Sequence, residues 1–360
     1  MTSGRKILPV AEAGGSGSSL LTSGEKILLH PSRVRQLLAG AVDKVFPVSA
    51  HVYLTNSCNH DCSYCSEIVY RRDYPAKLRT DLAYSLMGQL AEVGTKSVVF
   101  IGGGEPTLHK DYQQIVLSAV ANGLQVGLVT NGSRESMLEV AEHYSWVRVS
   151  MDGGTPELYS KIRRVPEDEF DKVLTHIWAM RQGCLDLVIG VQFLIATAES
   201  IDVLPAFLKR LSRAGVTYAN VKVPVAFDWF STDHMRHVNL DLPSSVGGMR
   251  VYVTHVGSED GGGNAGLPCW ASRMNATISA DGKLHVCCRL VNTGQYDAAY
   301  LGDLNEQSFR DLWTSQFVVD KATGLLDPKN TRNCPECWMT RYNKALADVL
   351  PEDLASMDFV

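Results

Sequence analysis

Apolar positions along the chain change their spacing in a regular way. Short runs dense in Val, Ile, Leu and Phe recur at "SAHVYLTN" (49–56), "KSVVFIG" (96–102), "LQVGLVT" (124–130), "WVRVSM" (146–151), "DLVIGVQFLIA" (186–196) and "YANVKVP" (218–224). Their length and β-branched content predict strands. The stretches between them space their apolar residues three and four apart: "TDLAYSLMGQLAEVG" (80–94), "KDYQQIVLSAVANG" (110–123), "EFDKVLTHIWAMRQG" (169–183) and "SIDVLPAFLKRLSRAG" (200–215). These predict helices, the first opened by Thr80 and closed by Gly94. Strands alternating with helices imply a parallel sheet with right-handed crossovers. About six such units fill 49–225, an α/β fold built as a partial barrel, with ligand chemistry at the carboxyl ends of its strands.

The pattern breaks on either side of that core. Residues 1–24 are rich in Gly, Ser and Thr without periodicity and read as a tail, followed by a short helix over 30–45. After 226 the alternation stops, and a Gly-rich run at 261–266 reads as a loop. "NATISADGKLHVCCRL" (275–290) predicts a hairpin turning at Asp281–Gly282. A helical stretch (308–323) and "NCPECW" (333–338) follow. The domains expected are thus 1–48, 49–225 and 226–360.

Composition narrows the function classes. The chain of 360 residues is 45% hydrophobic and 20% charged, with net charge -5. The acidic balance gives no nucleic-acid footprint. No apolar run is long enough for a membrane span, and "GSSLLTSG" is too short for a signal peptide, so a cytoplasmic setting is expected. Nine cysteines in a reducing compartment imply metal or redox ligands rather than disulfides.

Three of them, Cys58, Cys62 and Cys65, follow the first strand. A closed metal site takes four ligands, so this loop is one short. "GGGEPT" (102–107), "TNG" (130–132) and "SMDG" (150–153) follow the next three strands and share the same rim. Glycines there allow close backbone approach to a ligand. Glu105 suits an ammonium group, and Ser150 and Asp152 suit hydroxyls. Each motif alone is an ordinary turn; their placement after successive strands makes a site. Lys222 and Asp228, after the sixth strand, serve either a polar substrate or the structure.

C-x3-C-x2-C with Tyr64 before the last cysteine, followed by a "GGE" motif after the second strand, resembles the radical S-adenosylmethionine (SAM) superfamily over roughly residues 49–225. The resemblance implies that the three thiolates hold a 4Fe–4S cluster whose fourth iron takes SAM. It implies that Gly103, Gly104, Glu105 and Pro106 hold the methionine amino group. Asn131, Ser150, Asp152 and Gln192 then line the cosubstrate, and Arg163 meets its carboxylate, unless "KIRR" is only a solvated helix end. His60 is expected to pack over the cluster.

A second set, Cys269-x12-Gly282-x4-Cys287 with Cys334-x2-Cys337, satisfies a closed four-thiolate site. Zinc fits by ligand count. The spacing is similar to the twitch extension, the shorter relative of the SPASM domain, which implies one auxiliary 4Fe–4S cluster. Cys184 reads as an inert thiol. Cys288, next to Cys287 on a predicted strand, points to the opposite face and is either a packed hydrophobe, a hydrogen donor to a substrate radical, or itself the ligand. The resemblance implies a 5′-deoxyadenosyl radical that abstracts hydrogen from the substrate, fed by flavodoxin or ferredoxin. The expected outcome is epimerisation of a sugar-like or aminocyclitol substrate, a small molecule, with Cys288 as donor. The alternatives are dehydrogenation through the auxiliary cluster, modification of a ribosomal peptide, and a non-enzymatic zinc module. A peptide substrate ranks lower here because only 48 residues precede the first strand, and the ending "SMDFV" speaks against the molybdopterin-pathway cyclase.

Overall fold

The computed structural model describes residues 24–222, 240–254, 266–334 and 337–349. The expected tail, the 225/226 boundary, Asp228, and positions 261–265 of the Gly-rich run lie outside them. Eleven strands form one open sheet: β1 (Ser49–Val52), β2 (Ser97–Phe100), β3 (Gln125–Thr130), β4 (Tyr144–Ser150), β5 (Val188–Leu194), β6 (Tyr218–Lys222), β7 (Ser245–Val246), β8 (Met249–Thr254), β9 (Asn275–Ile278), β10 (Lys283–His285) and β11 (Tyr300–Asp303). Their order is β11-β10-β9-β1-β2-β3-β4-β5-β6-β8-β7. From β9 through β1 to β8 every pairing is parallel; β10, β11 and β7 attach antiparallel at the two edges. This is an α/β fold whose largely parallel sheet does not close.

Alternation along the strands separates two faces. Ala50, Val52, Val98, Phe100, Val126, Leu128, Val147, Val149, Ile189, Val191, Phe193, Ala219 and Val221 are all buried on one face. They pack in one core with the crossover helices Thr80–Glu92, Tyr112–Ala121, Asp168–Gly183 and Glu199–Arg213. The helix Thr80–Glu92 contributes Leu82, Ala83, Leu86, Met87 and Leu90, the one stripe its spacing allows. Each such Leu or Met stabilises by roughly 1.5–3 kcal/mol. The other face carries half-buried polar residues: His51, Arg148, Ser150, Gln192, Asn220, Lys222 and Tyr252.

Three expectations need revision. The helix over 30–45 is broken: it runs Pro31–Leu38, Gly40 takes φ +71°, and a separate turn covers Val42–Lys44. That segment also packs tightly, with Ile27, Val34, Leu37, Val42 and Val45 against Trp270, Met274, Ala322 and Leu346. The hairpin β9–β10 does form, but it is not a satellite, because β9 pairs with β1 from Ser49↔Asn275 to Val52↔Ile278. Finally, β10 stops at His285 and a helix starts at Cys288, so strand alternation does not place Cys287 and Cys288 on opposite faces.

Candidate functional site

The cysteine loop leaves β1 and is stitched to the neighbouring strand ends. Gly104 N donates to Thr55 O at 2.8 Å, and Glu105 N to Ser57 O at 2.9 Å. The approach is so close that a Cβ on Gly104 would lie 1.8 Å from Ser57 O, and one on Gly103 2.1 Å from Asn56 Oδ1. These glycines are required first by the contact between the two loops. Gly103 also sits at φ +60°. On the other side, Asp61 N and Ser63 N donate to the carbonyls of Arg163 and Ile162. Asn59 donates to Ser133 Oγ at 2.7 Å and accepts from Asn131 Nδ2 at 2.9 Å. His60 is buried edge-on to Tyr159 at 6.3 Å, and neither of its ring nitrogens has a hydrogen-bond partner.

Two carboxylates tie the rim together. Glu105 Oε1 accepts from Thr107 N, Thr107 Oγ1 and Thr130 Oγ1, and its Oε2 accepts from Asn131 N at 2.7 Å. Burial pushes its carboxyl up, and those donors pull it back. Asp152, fully buried, accepts from Tyr64 Oη, from Arg163 Nη2 and from Leu194 N. It therefore joins the cysteine loop, β4, β5 and the helix Pro156–Arg163 at one point. Burial opposes the Arg163 charge, but Asp152 and then Tyr64 hold it well above its ordinary value. Both expected ligand contacts, the hydroxyl on Asp152 and the carboxylate on Arg163, meet side chains already committed to each other; only Arg163 Nε lacks a partner. Ser150 and Gln192 stand side by side in the β4–β5 register, half-buried on the inner face. Pro106 opens the turn Pro106–Leu108 that Glu105 caps.

Burial raises all three loop thiols, and each thiolate adds to the next, Cys58 on Cys62 and Cys62 on Cys65, which reaches about 12. Iron binds the thiolate, so loading this loop releases protons. Among the described residues, no three His, Cys, Asp or Glu side chains converge tightly enough to share one ion. Around the loop, polar atoms on Asn56, His60 and Arg163 lack partners. The donor set and these orphaned atoms fit a cluster with SAM on it.

The second set assembles from distant segments. Burial raises Cys269, Cys287, Cys334 and Cys337, the last to about 12; Cys288 and then Cys337 and Cys269 act on Cys287, Cys288 and then Cys269 and Cys334 act on Cys337, and Cys269 acts on Cys334. Cys269 N donates to Leu325 O, and Cys337 Sγ accepts from Met339 N at 3.3 Å. Four thiols are the donor set of one closed auxiliary cluster. Cys287 packs on the main core, whereas Cys288 lies against the patch of Tyr53, Tyr70 and Val291, where burial raises its thiol and the Trp338 side chain works against that rise. Cys184 ends the helix Asp168–Gly183, on the core's edge.

Tyr64 and Trp338 are the functional neighbours that the spacing analysis passed over. Tyr64 appears there only as an aromatic in the motif, and its bond to Asp152 spans 88 positions. Trp338, directly after Cys337, also stacks on His51 at 5.5 Å.

Residues 52–191 match the Radical SAM superfamily, and residues 269–338 match SPASM, an iron–sulfur cluster-binding domain. The chain is 30% identical to the AdoMet-dependent heme synthase of Oleidesulfovibrio alaskensis over 43% of this chain and 39% of that protein, well under two thirds of its length. It is 24% identical to the mycofactocin maturase MftC of Mycolicibacterium smegmatis over 81% of this chain and 75% of that one. It is 27% identical to the PqqA peptide cyclase of Rhodopseudomonas palustris over 50% of each. Among solved structures, Streptococcus suis SuiB bound to S-adenosylmethionine aligns with TM-score 0.60 at 14% identity, covering 88% of this chain and 78% of that one. Radical SAM and SPASM domains bind SAM, its 4Fe–4S cluster and auxiliary iron–sulfur chemistry, the cofactors for which both cysteine sets are suited. Residues 52–191 thus carry a Radical SAM domain match, and residues 269–338 downstream carry a SPASM iron–sulfur cluster-binding match.

Proposed function

We propose that this chain is a radical SAM enzyme that modifies a peptide. The observation that carries this reading is the extent of the match to a maturase, which runs through both domains over 81% of the chain. A relative named for peptide cyclisation supports it. The carbohydrate substrate expected from the sequence gives way here, because it rested on the resemblance to twitch enzymes and on the length before β1, and neither distinguishes a sugar from a peptide.

In this reading Cys58, Cys62 and Cys65 hold the SAM-binding cluster, and Cys269, Cys287, Cys334 and Cys337 hold the auxiliary one. When bound, these groups supply a 5′-deoxyadenosyl radical and an electron acceptor. The chain's own residues position and exclude. The Tyr64–Asp152–Arg163 hub fixes the cysteine loop against β4 and β5. Glu105 fixes the glycine loop against the end of β3. Ser150, Gln192 and Asn131 line the cosubstrate, and a one-electron donor of the flavodoxin or ferredoxin kind reduces the site.

The test is an anaerobic assay of the reconstituted protein with SAM and reductant. A randomised peptide library, an aminocyclitol panel and a tetrapyrrole are offered separately. Release of 5′-deoxyadenosine above the substrate-free rate with peptides, together with a mass change in the peptide, supports the reading. Stimulation by aminocyclitols or the tetrapyrrole alone overturns it. The thiol of Cys288, packed against Tyr53, Tyr70 and Val291, favours one second reading of the outcome: hydrogen return to the substrate and inversion of a centre. Wild type that leaves no solvent deuterium in the product, with Cys288→Ala equally competent, removes that reading.

A further inference from the structure

The inner face of the sheet holds positive charge that no side chain among the described residues pairs. Arg148 sits on β4, two residues before Ser150, and so roughly 6–7 Å deeper than the rim. In register beside it are Gly190, Tyr218 and Arg250; the next row toward the rim is Ser150, Gln192, Asn220 and Tyr252. Gly190 leaves the space that the Tyr218 ring fills, since a Cβ there would lie 2.2 Å from the ring. The row beyond holds Lys222, paired with Leu194 and Thr254.

Arg148 has neither an ion pair nor a hydrogen bond among the described residues, and its Nε is orphaned. Lys222 likewise has no such partner. Desolvation lowers both side chains' pKa values, and Lys222, brought to about 8, feels the charges of Arg148, Arg341 and Arg289 against that of Asp152 alone. Asp152 is already committed to Arg163 and Tyr64. Tyr252 Oη is a further buried polar atom without a partner. An unpaired guanidinium held away from bulk water is costly unless an anion comes to meet it. It presents a planar fork suited to a carboxylate.

We propose that this inner face is a carboxylate-binding site, with Arg148 as its floor and Lys222 as its second cation, and that the substrate peptide presents a carboxylate to it. The peptide part rests on the proposed function; the anion site rests on the residues alone. The cosubstrate has its own contacts at the rim, above Arg148. The carboxylate comes from an acidic side chain or from a chain terminus, and the test separates the two.

Binding to the SAM-loaded reconstituted enzyme is measured calorimetrically without reductant. The probes are acetyl-Ala-Glu-Ala-amide, acetyl-Ala-Gln-Ala-amide and acetyl-Ala-Gln-Ala as the free acid, with glucuronate and glucose as a second pair. At least one carboxylate peptide is expected to bind roughly ten- to a hundredfold more tightly than the uncharged one, the range for a hydrogen bond to a charged group. Arg148→Gln and Lys222→Met each shrink that ratio, and Arg148→Lys restores part of it. The tighter of the two acids identifies the source. Discrimination by glucuronate alone keeps the anion site and removes the peptide reading. The proposal is overturned if no pair discriminates in the wild type, a result independent of whether the variants fold. It is also overturned if discrimination survives both variants, or if they lose SAM affinity instead, which would assign the cations to the cosubstrate.

Discussion

The two cysteine sets are built in opposite ways. The first lies within eight positions of one loop, and its fixation comes from partners elsewhere: Gly104, Glu105, Asn131, Asp152 and Arg163. The second spans Cys269 to Cys337, so packing of the whole C-terminal region must bring its thiols together. A local loop can keep orphaned polar atoms around it and an open place for a ligand. A long-range site reaches its geometry only when the surrounding core is formed, and it suits a closed cluster. The first set is therefore expected to be a binding centre supported by its neighbours, and the second a folding element as well.

Four experiments can break or sharpen that contrast. The largest effect is expected from Cys62→Ala, which should abolish SAM cleavage while keeping about four of roughly eight irons per chain. Next, Cys287→Ala should lose the auxiliary iron and lower the holoprotein's melting temperature, whereas Cys288→Ala should keep both; the reverse result in an iron count would exchange the two assignments. Third, Arg163→Ala strands the buried Asp152 carboxylate and should cost about 3–5 kcal/mol in denaturant unfolding. A cost near zero would mean the rim does not depend on the hub.

The smallest effect concerns the inner face. Lys222 has its folded-state pKa lowered to about 8, from 10.5. Below pH 8 the folded protein must hold the charge at a cost, and as pH rises from 8 to 10.5 the unfolded chain alone stays protonated, so the cost fades. In the substrate-free holoprotein, Lys222→Met should therefore stabilise at pH 7 by on the order of 1 kcal/mol. That gain should shrink steadily above pH 8 in melting curves. A gain independent of pH would trace to packing instead.

These sites were unequally legible in the sequence. The cysteine loop, the glycine turn and the order of strands could be read because each is local: thiol spacing, a breaker after a strand, a period of two against three and four. What escaped depends on partners far along the chain. Asp152 looks like a free rim carboxylate until Tyr64, 88 positions earlier, and Arg163 close on it. The segment before β1 looks detachable until Trp270 and Leu346 cover it. The Cys287–Cys288 pair obeys a strand rule only if the strand continues, and β10 ends two residues short of it, at His285. Arg148 is one polar residue in an apolar run, and only the sheet shows which face it occupies.

The pairing of β9 with β1 carries one further consequence. β1 leads directly into the first cysteine loop, and β9 leads through its hairpin to Cys287. A ladder of parallel backbone hydrogen bonds thus ties the roots of the two cysteine-bearing segments together, as a frame ties two posts. The fixed register Ser49↔Asn275 to Val52↔Ile278 thus couples any shift of one cysteine-bearing segment to the other at its root.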